Sequence, residues 1–372
     1  RLCMEKVVHC IHGLSMGGAE TLVKNYALAL NKHKIDLTVL CLNRYDLPYE
    51  RILEKHGIKV IYISDYFPKF NFGKFINRVF HVLSRYYYFR KMIRELSPDV
   101  IHIHLPISRY VRFAHPKKDT KIIYTQHFIV QRLFENYPME VKHIKWLIKN
   151  YSFRFIALND DMKSSLNEFF NLNNTIVLNN AIDFASYEAM LDKKQKRKEI
   201  HLNENAFVIG HVGRLSEIKN HSFLLEIFFH YRKYNSNSYL LLVGTGEDKD
   251  KIIKKAKELK ILSYIKILEN RDDVSELLKC MDIFVFPSKN EGLGIAVIEA
   301  QAAGLPCIVS DKVPLATKIS NLIFYKSLAE SPDKWAIDID IISKKRIVPQ
   351  YYNKEDWNIN HIIKSLEEIY TE

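Results

Sequence analysis

At 372 residues the chain is long enough for two ordinary domains, and 47% hydrophobic against 26% charged residues is the balance of a soluble globular protein. No apolar run approaches the roughly 18 residues that a bilayer span needs, which excludes an integral membrane helix. The formal charge of +12 fits nucleic acid, an anionic membrane or a phosphorylated ligand, and composition does not choose among them.

The chain opens on a strand pattern, Lys6 to His12, with no apolar segment of the signal-peptide kind. Five cysteines, at 3, 10, 41, 280 and 307, are scattered and lack CxxC spacing, which predicts reduced thiols in a cytoplasmic protein and no structural metal. Strands alternate with helices throughout, near 6–12, 37–42, 58–63, 99–104, 121–126, 153–158 and 175–179. After the charged interval Asp192–Glu199 a second series follows, near 207–212, 239–243, 264–268, 282–286, 306–310 and 321–325. The alternation predicts an α/β protein with two Rossmann-like, doubly wound parallel sheets. The join falls near Leu178–Asp183, giving domains 1–183 and 184–353, and Lys354–Tyr370 reads as a last helix with an apolar stripe.

The first strand runs into His12-Gly13-Leu14-Ser15-Met16-Gly17-Gly18-Ala19-Glu20 and a helix over Ala19–Leu30. Gly17 and Gly18 permit close backbone approach and put amide groups beside a helix start. The loop is not GxGxxG and no acid closes the second strand, so NAD is disfavoured. Phe67 to Arg94 then carries Lys69, Lys74, Arg78, Arg85, Arg90, Lys91 and Arg94, no acid, and interleaved aromatics. A core helix with a solvated basic face would account for part of this. So many bulky groups exceed one buried stripe, however, and the expectation is contact with an anionic membrane surface.

His102 and His104 alternate with apolar residues, so both point to one sheet face at the carboxyl end of a strand. A metal would need further ligands, and in sequence only His115 and His127 lie close, so no metal is expected. His127 repeats the arrangement on the following strand. The second half opens with Gly213-Arg214-Leu215 and Lys219-Asn220. Two cations five apart at a strand's carboxyl end suit a diphosphate clamp, the arginine bidentate and the lysine a point charge, and two exposed loop cations would give the same pattern.

Last comes Pro287 to Asp311, one βαβ unit with an alanine-rich, buried helix over Leu293–Ala303. Glu299 is a carboxylate inside that helix and Glu291 lies eight positions earlier. Eight residues of helix rise about 12 Å, which suits two carboxylates gripping the ends of one extended ligand. The amides of Gly292, Leu293 and Gly294 make an anion seat between them.

In this order, the Gly-Gly loop, His-x-His, Gly-Arg-Leu with Lys-Asn, Gly244-Thr245-Gly246-Glu247 and Glu-x7-Glu between Pro-Ser and Gly-Leu-Pro resemble glycosyltransferase family 4. These are retaining enzymes of the GT-B fold, two Rossmann-like domains facing a central cleft. The resemblance implies transfer of a hexose or N-acetylhexosamine from a nucleotide-diphosphate sugar, most simply UDP-linked, with no cofactor and no metal. It implies that Arg214 and Lys219 hold the diphosphate with the Gly292–Gly294 amides. Glu299 would take the ribose, Glu291 the donor sugar, and the loop at Arg271 the nucleobase through its backbone. Gly17, Gly18 and Gly244 would line the donor. His104 would face the reacting sugar with His127 on the acceptor side, and helix 354–372 would cross back onto the first domain. A lipid-linked glycan acceptor in surface polysaccharide synthesis, on the inner face of the cell membrane, is the expected setting. Two departures are Ala181, where the family often has glycine, and the absence of an aromatic in Pro287–Asn290. A GT-B epimerase or phosphorylase shares the architecture. A nucleic-acid-binding protein would need a basic groove with base-stacking aromatics, and no nucleic-acid partner is expected.

Overall fold

Among the described residues the apolar runs form thirteen strands in two sheets. In the first sheet β1 (Glu5–Ile11), β2 (Ile35–Cys41), β3 (Lys59–Tyr62), β4 (Val100–His104), β5 (Lys121–Thr125), β6 (Phe153–Ala157) and β7 (Ile176–Val177) take the order β3-β2-β1-β4-β5-β6-β7. In the second, β8 (Phe207–Val212), β9 (Ser238–Val243), β10 (Ile265–Leu268), β11 (Ile283–Phe286), β12 (Cys307–Ser310) and β13 (Ile323–Lys326) take the order β10-β9-β8-β11-β12-β13. The paired strands run parallel, as βαβ crossovers require. This computed structural model describes residues 4–30, 32, 34–67, 74–352 and 354–372, with the side chains of 74–78 outside the description.

The chain divides into one unit of residues 1–181 with 359–372 and a second of residues 182–358. Each sheet reverses its strand order once, between β1 and β4 and between β8 and β11. Such switch points are where open α/β sheets leave a crevice at the strands' carboxyl ends. The Gly-Gly loop follows β1 and His104 ends β4, while Arg214 follows β8 and Glu291 follows β11. Each unit therefore carries its motifs at its own switch point.

Two helices differ from expectation. The single helix expected over Lys354–Tyr370 is a 3₁₀ turn, Lys354–Trp357, then a helix, Ile359–Thr371. Trp357 is buried and its carbonyl accepts from Ile182 N at 2.8 Å, which ties the turn to the second unit. Beyond Asn358 the stripe Ile359, Ile362, Ile363, Leu366, Ile369 and Tyr370 enters the core of the first unit with Val7, Leu22, Tyr26 and Ile123. Burying each large aliphatic there contributes about 1.5–3 kcal/mol. The helix expected from Leu293 starts instead at Ile295, because Gly294 adopts the left-handed region at φ +80 and caps it.

The basic, aromatic segment forms the helix Lys74–Leu96. Ser84, Phe89, Met92 and Ile93 are buried, while Val79, Phe80, Val82, Leu83 and Tyr87 face solvent. Lys69, Phe70 and Phe72, and the side chains of Lys74, Phe75 and Arg78, lie outside the described residues. Cys10, Cys41, Cys280 and Cys307 are buried unpaired thiols, and Cys3 lies outside the description.

Candidate active site

In the second unit, β8 delivers the loop Gly213-Arg214-Leu215 onto the turn that follows β9. Gly213 N donates to Val243 O at 3.0 Å, Leu215 N to Thr245 O at 2.8 Å, and Asp248 N to Leu215 O at 3.0 Å. The two backbones approach so closely that a Cβ on Gly244 would stand 2.0 Å from Gly213 O, and one on Gly246 2.2 Å from Leu215 O. The Gly-x-Gly turn is thus required by contact with the loop that presents Arg214. Gly244, expected among the donor contacts, acts on that loop. The Arg214 side chain is 72% exposed, and its Nε meets Glu247 at 3.3 Å.

Lys219 ends the 3₁₀ turn Glu217–Lys219, and its Nζ donates to Glu291 Oε1 at 2.5 Å. Both side chains are largely buried, at 18% and 9% exposure. The Lys219 ammonium also lies 4.8 Å from the centre of the Phe286 ring, and Glu291 accepts a second bond from Ser288 Oγ at 2.6 Å. The strand-to-helix loop is stitched to that turn, with Lys289 N on Ile218 O at 2.8 Å and Ser288 Oγ on the same oxygen at 3.0 Å. Residues assigned separately from sequence, one to the diphosphate and one to the sugar, therefore form one buried ion pair. Gly292, Leu293 and Gly294 connect Glu291 to the helix Ile295–Ala302. Glu299 sits in that helix, almost wholly buried, and accepts from Tyr187 Oη at 3.0 Å.

Arg271 is held by Asp273, with Nε to Oδ1 at 2.8 Å, and Lys196 reaches the same carboxylate at 2.7 Å. Burial opposes ionisation of Asp273, but the bonds from Arg271 and Lys196 outweigh it and hold its carboxyl at about 2. The Arg271 guanidinium is thus committed to its own loop. Below the clamp, buried His211 stacks on Phe286 at 5.1 Å and meets His221 edge-on at 4.7 Å. Burial pushes both imidazoles down, so they stand neutral.

In the first unit Gly17 caps the helix Gly18–Ala29. Glu20 folds back over this turn, its carboxylate close to Gly17 Cα and accepting from Ser15 Oγ at 2.6 Å. An anion meeting Gly17 and Gly18 there also meets a carboxylate. Residue pairing of β1 with β4 sets His9 opposite His102, and His104 opposes Thr125 of β5. His9, His102 and His104 are fully buried, their ring centres 4.1–5.0 Å apart. Tyr370 Oη bonds both His9 Nε2 and His102 Nδ1 at 2.7 Å, and His102 Nε2 meets Thr125 Oγ1 at 2.7 Å. His104 Nδ1 meets His127 Nε2 at 3.1 Å.

His104 was expected to face the reacting sugar. The structure gives it no exposed surface; His127, partly exposed, is the imidazole at the edge of the group. Among the described residues His9 Nδ1 and His104 Nε2 are buried without a hydrogen-bond partner. Each such atom costs about 1–3 kcal/mol. Burial lowers the pKa of His9 to about 3 and those of His102 and His104 well below their ordinary value.

Sequence reasoning missed His9, Tyr187, His211 and Tyr370. A signal existed for His9 and His211, since a polar residue inside an apolar strand asks for a polar neighbour.

Two family models match the chain, Glycosyltransferase Family 4 over residues 16–186 and Glycosyl transferases group 1 over residues 192–353. EpsF of Bacillus subtilis (strain 168), named a glycosyltransferase, is 27% identical over 343 residues, covering 89% of this chain and 86% of its own length. CapH of Staphylococcus aureus, named a capsular polysaccharide biosynthesis glycosyltransferase, is 26% identical over 99% of both chains. Among solved structures, Anabaena HepE in complex with UDP and glucose matches with a TM-score of 0.72 at 17% identity, covering 98% of this chain and 95% of that one.

Proposed function

The chain belongs to the GT-B glycosyltransferases of the family 4 type, and from that premise we propose that it transfers a hexose or N-acetylhexosamine from a UDP-sugar to a glycan acceptor. The setting is surface polysaccharide synthesis, a reading supported by the names of relatives such as CapH. The observation that carries the donor assignment is the buried Lys219–Glu291 pair beside the amides of Gly292–Gly294 at a helix N-terminus.

A nucleoside diphosphate meets this site with its phosphates on the cations and its sugar toward Glu291. Arg214 is exposed and weakly paired, so it can close on the diphosphate and stabilise charge as the glycosidic bond breaks. Lys219 contributes the second positive charge, shared with Glu291. Glu299, held by Tyr187, takes the ribose hydroxyls, and the backbone at Arg271 meets the base. With two cations and a helix N-terminus at the diphosphate, transfer needs no metal there and no organic cofactor. On the acceptor side His127 contacts the glycan and His104 Nδ1 fixes its orientation. Transfer proceeds with retention at the anomeric carbon.

The acceptor is lipid-linked, and the protein works peripherally on the cytoplasmic face of the membrane. Supporting this, the exposed faces of Phe80, Leu83 and Tyr87 share the helix Lys74–Leu96 with exposed Arg90 and Arg94. Among the described residues no helix is long and apolar enough to cross a membrane.

The test is incubation with UDP-glucose, UDP-galactose and UDP-N-acetylglucosamine, with and without a lipid-linked glycan acceptor. Acceptor-dependent release of UDP, with an α-linked product by NMR, is expected. Epimerised UDP-sugar formed without acceptor, or phosphate-dependent release of sugar 1-phosphate, would establish an epimerase or phosphorylase instead.

A further inference from the structure

We infer that His9, His102 and His104 form an interior binding site for a divalent transition metal of zinc's class, within the first unit and separate from the donor residues. One ring nitrogen from each histidine can be chosen so that all three lie within 4.8 Å of one another. Ligand nitrogens about 2.0–2.1 Å from a tetrahedral zinc are themselves about 3.4 Å apart, so modest side-chain rotation closes the set.

The hydrogen bonding supports this reading. A histidine that ligates a metal keeps its other nitrogen on an outer partner, which fixes the ring's orientation. His9 holds Tyr370 through Nε2 and has Nδ1 unbonded; His104 holds His127 through Nδ1 and has Nε2 unbonded. His102 holds Thr125 through Nε2, and its Nδ1 would exchange the Tyr370 hydroxyl for the ion. Three rings from two adjacent strands thus each combine an anchored nitrogen with one available to a metal. Three protein ligands leave a fourth position on a tetrahedral ion for water, as in open zinc sites.

The donor set selects the ion. Three imidazoles suit zinc, cobalt, nickel or copper, whereas magnesium and calcium prefer carboxylate and carbonyl oxygens. Burial keeps the imidazoles neutral, as ligation requires. Because the strands close over the site, the metal enters as the unit folds. Its role there is to join β1 and β4 at the switch point. The inference is independent of sugar transfer.

Full-length protein without an affinity tag, produced in medium supplemented with zinc, tests it by elemental analysis. About one equivalent of zinc per chain is expected, and growth with cobalt should give the visible absorption of a four-coordinate cobalt centre. His9→Gln and His104→Gln should each fall below a tenth of an equivalent, while His115→Gln, at an exposed position, keeps the full amount. If His9→Gln does not fold, His104→Gln carries the comparison, and cobalt absorption in the unaltered protein reads the site without any substitution. Under a tenth of an equivalent of zinc and no cobalt absorption in the unaltered protein would mean that the pocket holds water only, and would overturn the proposal. Full zinc content in both histidine variants would overturn it equally.

Discussion

Tyr187 and Glu299 are 112 residues apart in sequence, yet the tyrosine hydroxyl donates to the carboxylate at 3.0 Å. The tyrosine lies on the short helix Phe184–Glu188, just past the start of the second unit. A carboxylate in a buried helix is costly unless something holds it, and Tyr187 helps to hold this one.

Glu299→Gln should weaken binding of UDP itself by about tenfold, since a charge-assisted contact to ribose is worth about 1.4 kcal/mol more than a neutral one. Tyr187→Phe should weaken it less, by removing the positioning bond alone. Calorimetry with UDP checks both. If Glu299→Gln binds UDP as the unaltered protein does, the ribose assignment fails.

Arg214 and Lys219 should separate by stability. Arg214→Ala removes an exposed side chain, so the melting temperature should hold while turnover drops about a hundredfold, the effect of losing about 3 kcal/mol of transition-state stabilisation. Lys219→Ala leaves Glu291 buried without its cation and should lower stability by about 3 kcal/mol as well. Adding Glu291→Gln to Lys219→Ala should restore much of that stability but no activity. Thermal unfolding and steady-state kinetics on the three variants test the pairing, and equal melting temperatures for Lys219→Ala and the unaltered protein would refute it.

The buried histidines make the first unit sensitive to acid. His9 has a pKa of about 3 in the folded protein and 6.5 without burial, so below pH 6.5 the unfolded chain takes up a proton that the folded one refuses. Its contribution is complete above about pH 6.5 and declines as pH falls toward about 3, by up to about 1.4 kcal/mol per pH unit. His102 and His104 act in the same direction. Urea unfolding of metal-free protein at pH 7.5, 6 and 5 should show falling stability, with a smaller fall in His102→Gln. A flat profile would show these rings to be as protonatable in the folded protein as in the unfolded chain.

The helix Lys74–Leu96 presents Leu83 and Tyr87 at 62% and 65% exposure. Cosedimentation with anionic vesicles is expected, and with neutral vesicles it is not. Each cation near the surface contributes about 1 kcal/mol, which salt screens. Leu83→Glu combined with Arg90→Glu should abolish sedimentation while UDP binding persists. Arg85 is the wrong choice for this test because its guanidinium bonds Asn43 at 2.8 Å and serves the fold. Unchanged sedimentation of the double variant would remove this helix from the membrane reading.

Much of this was legible in the sequence because it depends on local pattern. Alternating apolar runs located the strands, and the order of Gly17-Gly18, Arg214, Lys219, Glu291 and Glu299 marked the candidate site. Pairings between distant residues were not legible. His9 meets His102 because β1 and β4 are adjacent at the sheet's reversal, and a gap of 93 residues carries no trace of that. The same holds for Lys219 with Glu291, which local reading treated as two independent groups. His104 was legible as a strand-end histidine, but its burial depends on what the helix Ile359–Thr371 and its neighbours cover.

The route of the chain between Ala181 and Ile359 has a practical consequence. Residues 182–358 form a continuous insertion within a fold whose last helix is supplied only after the insertion ends. The second unit can be excised and expressed as one uninterrupted piece. The first cannot be made by stopping translation early; it needs residues 1–181 rejoined through a short linker to 359–372. A nascent chain likewise cannot complete its first sheet's cover until residues 359–372 have been made, so the half made first is the half sealed last.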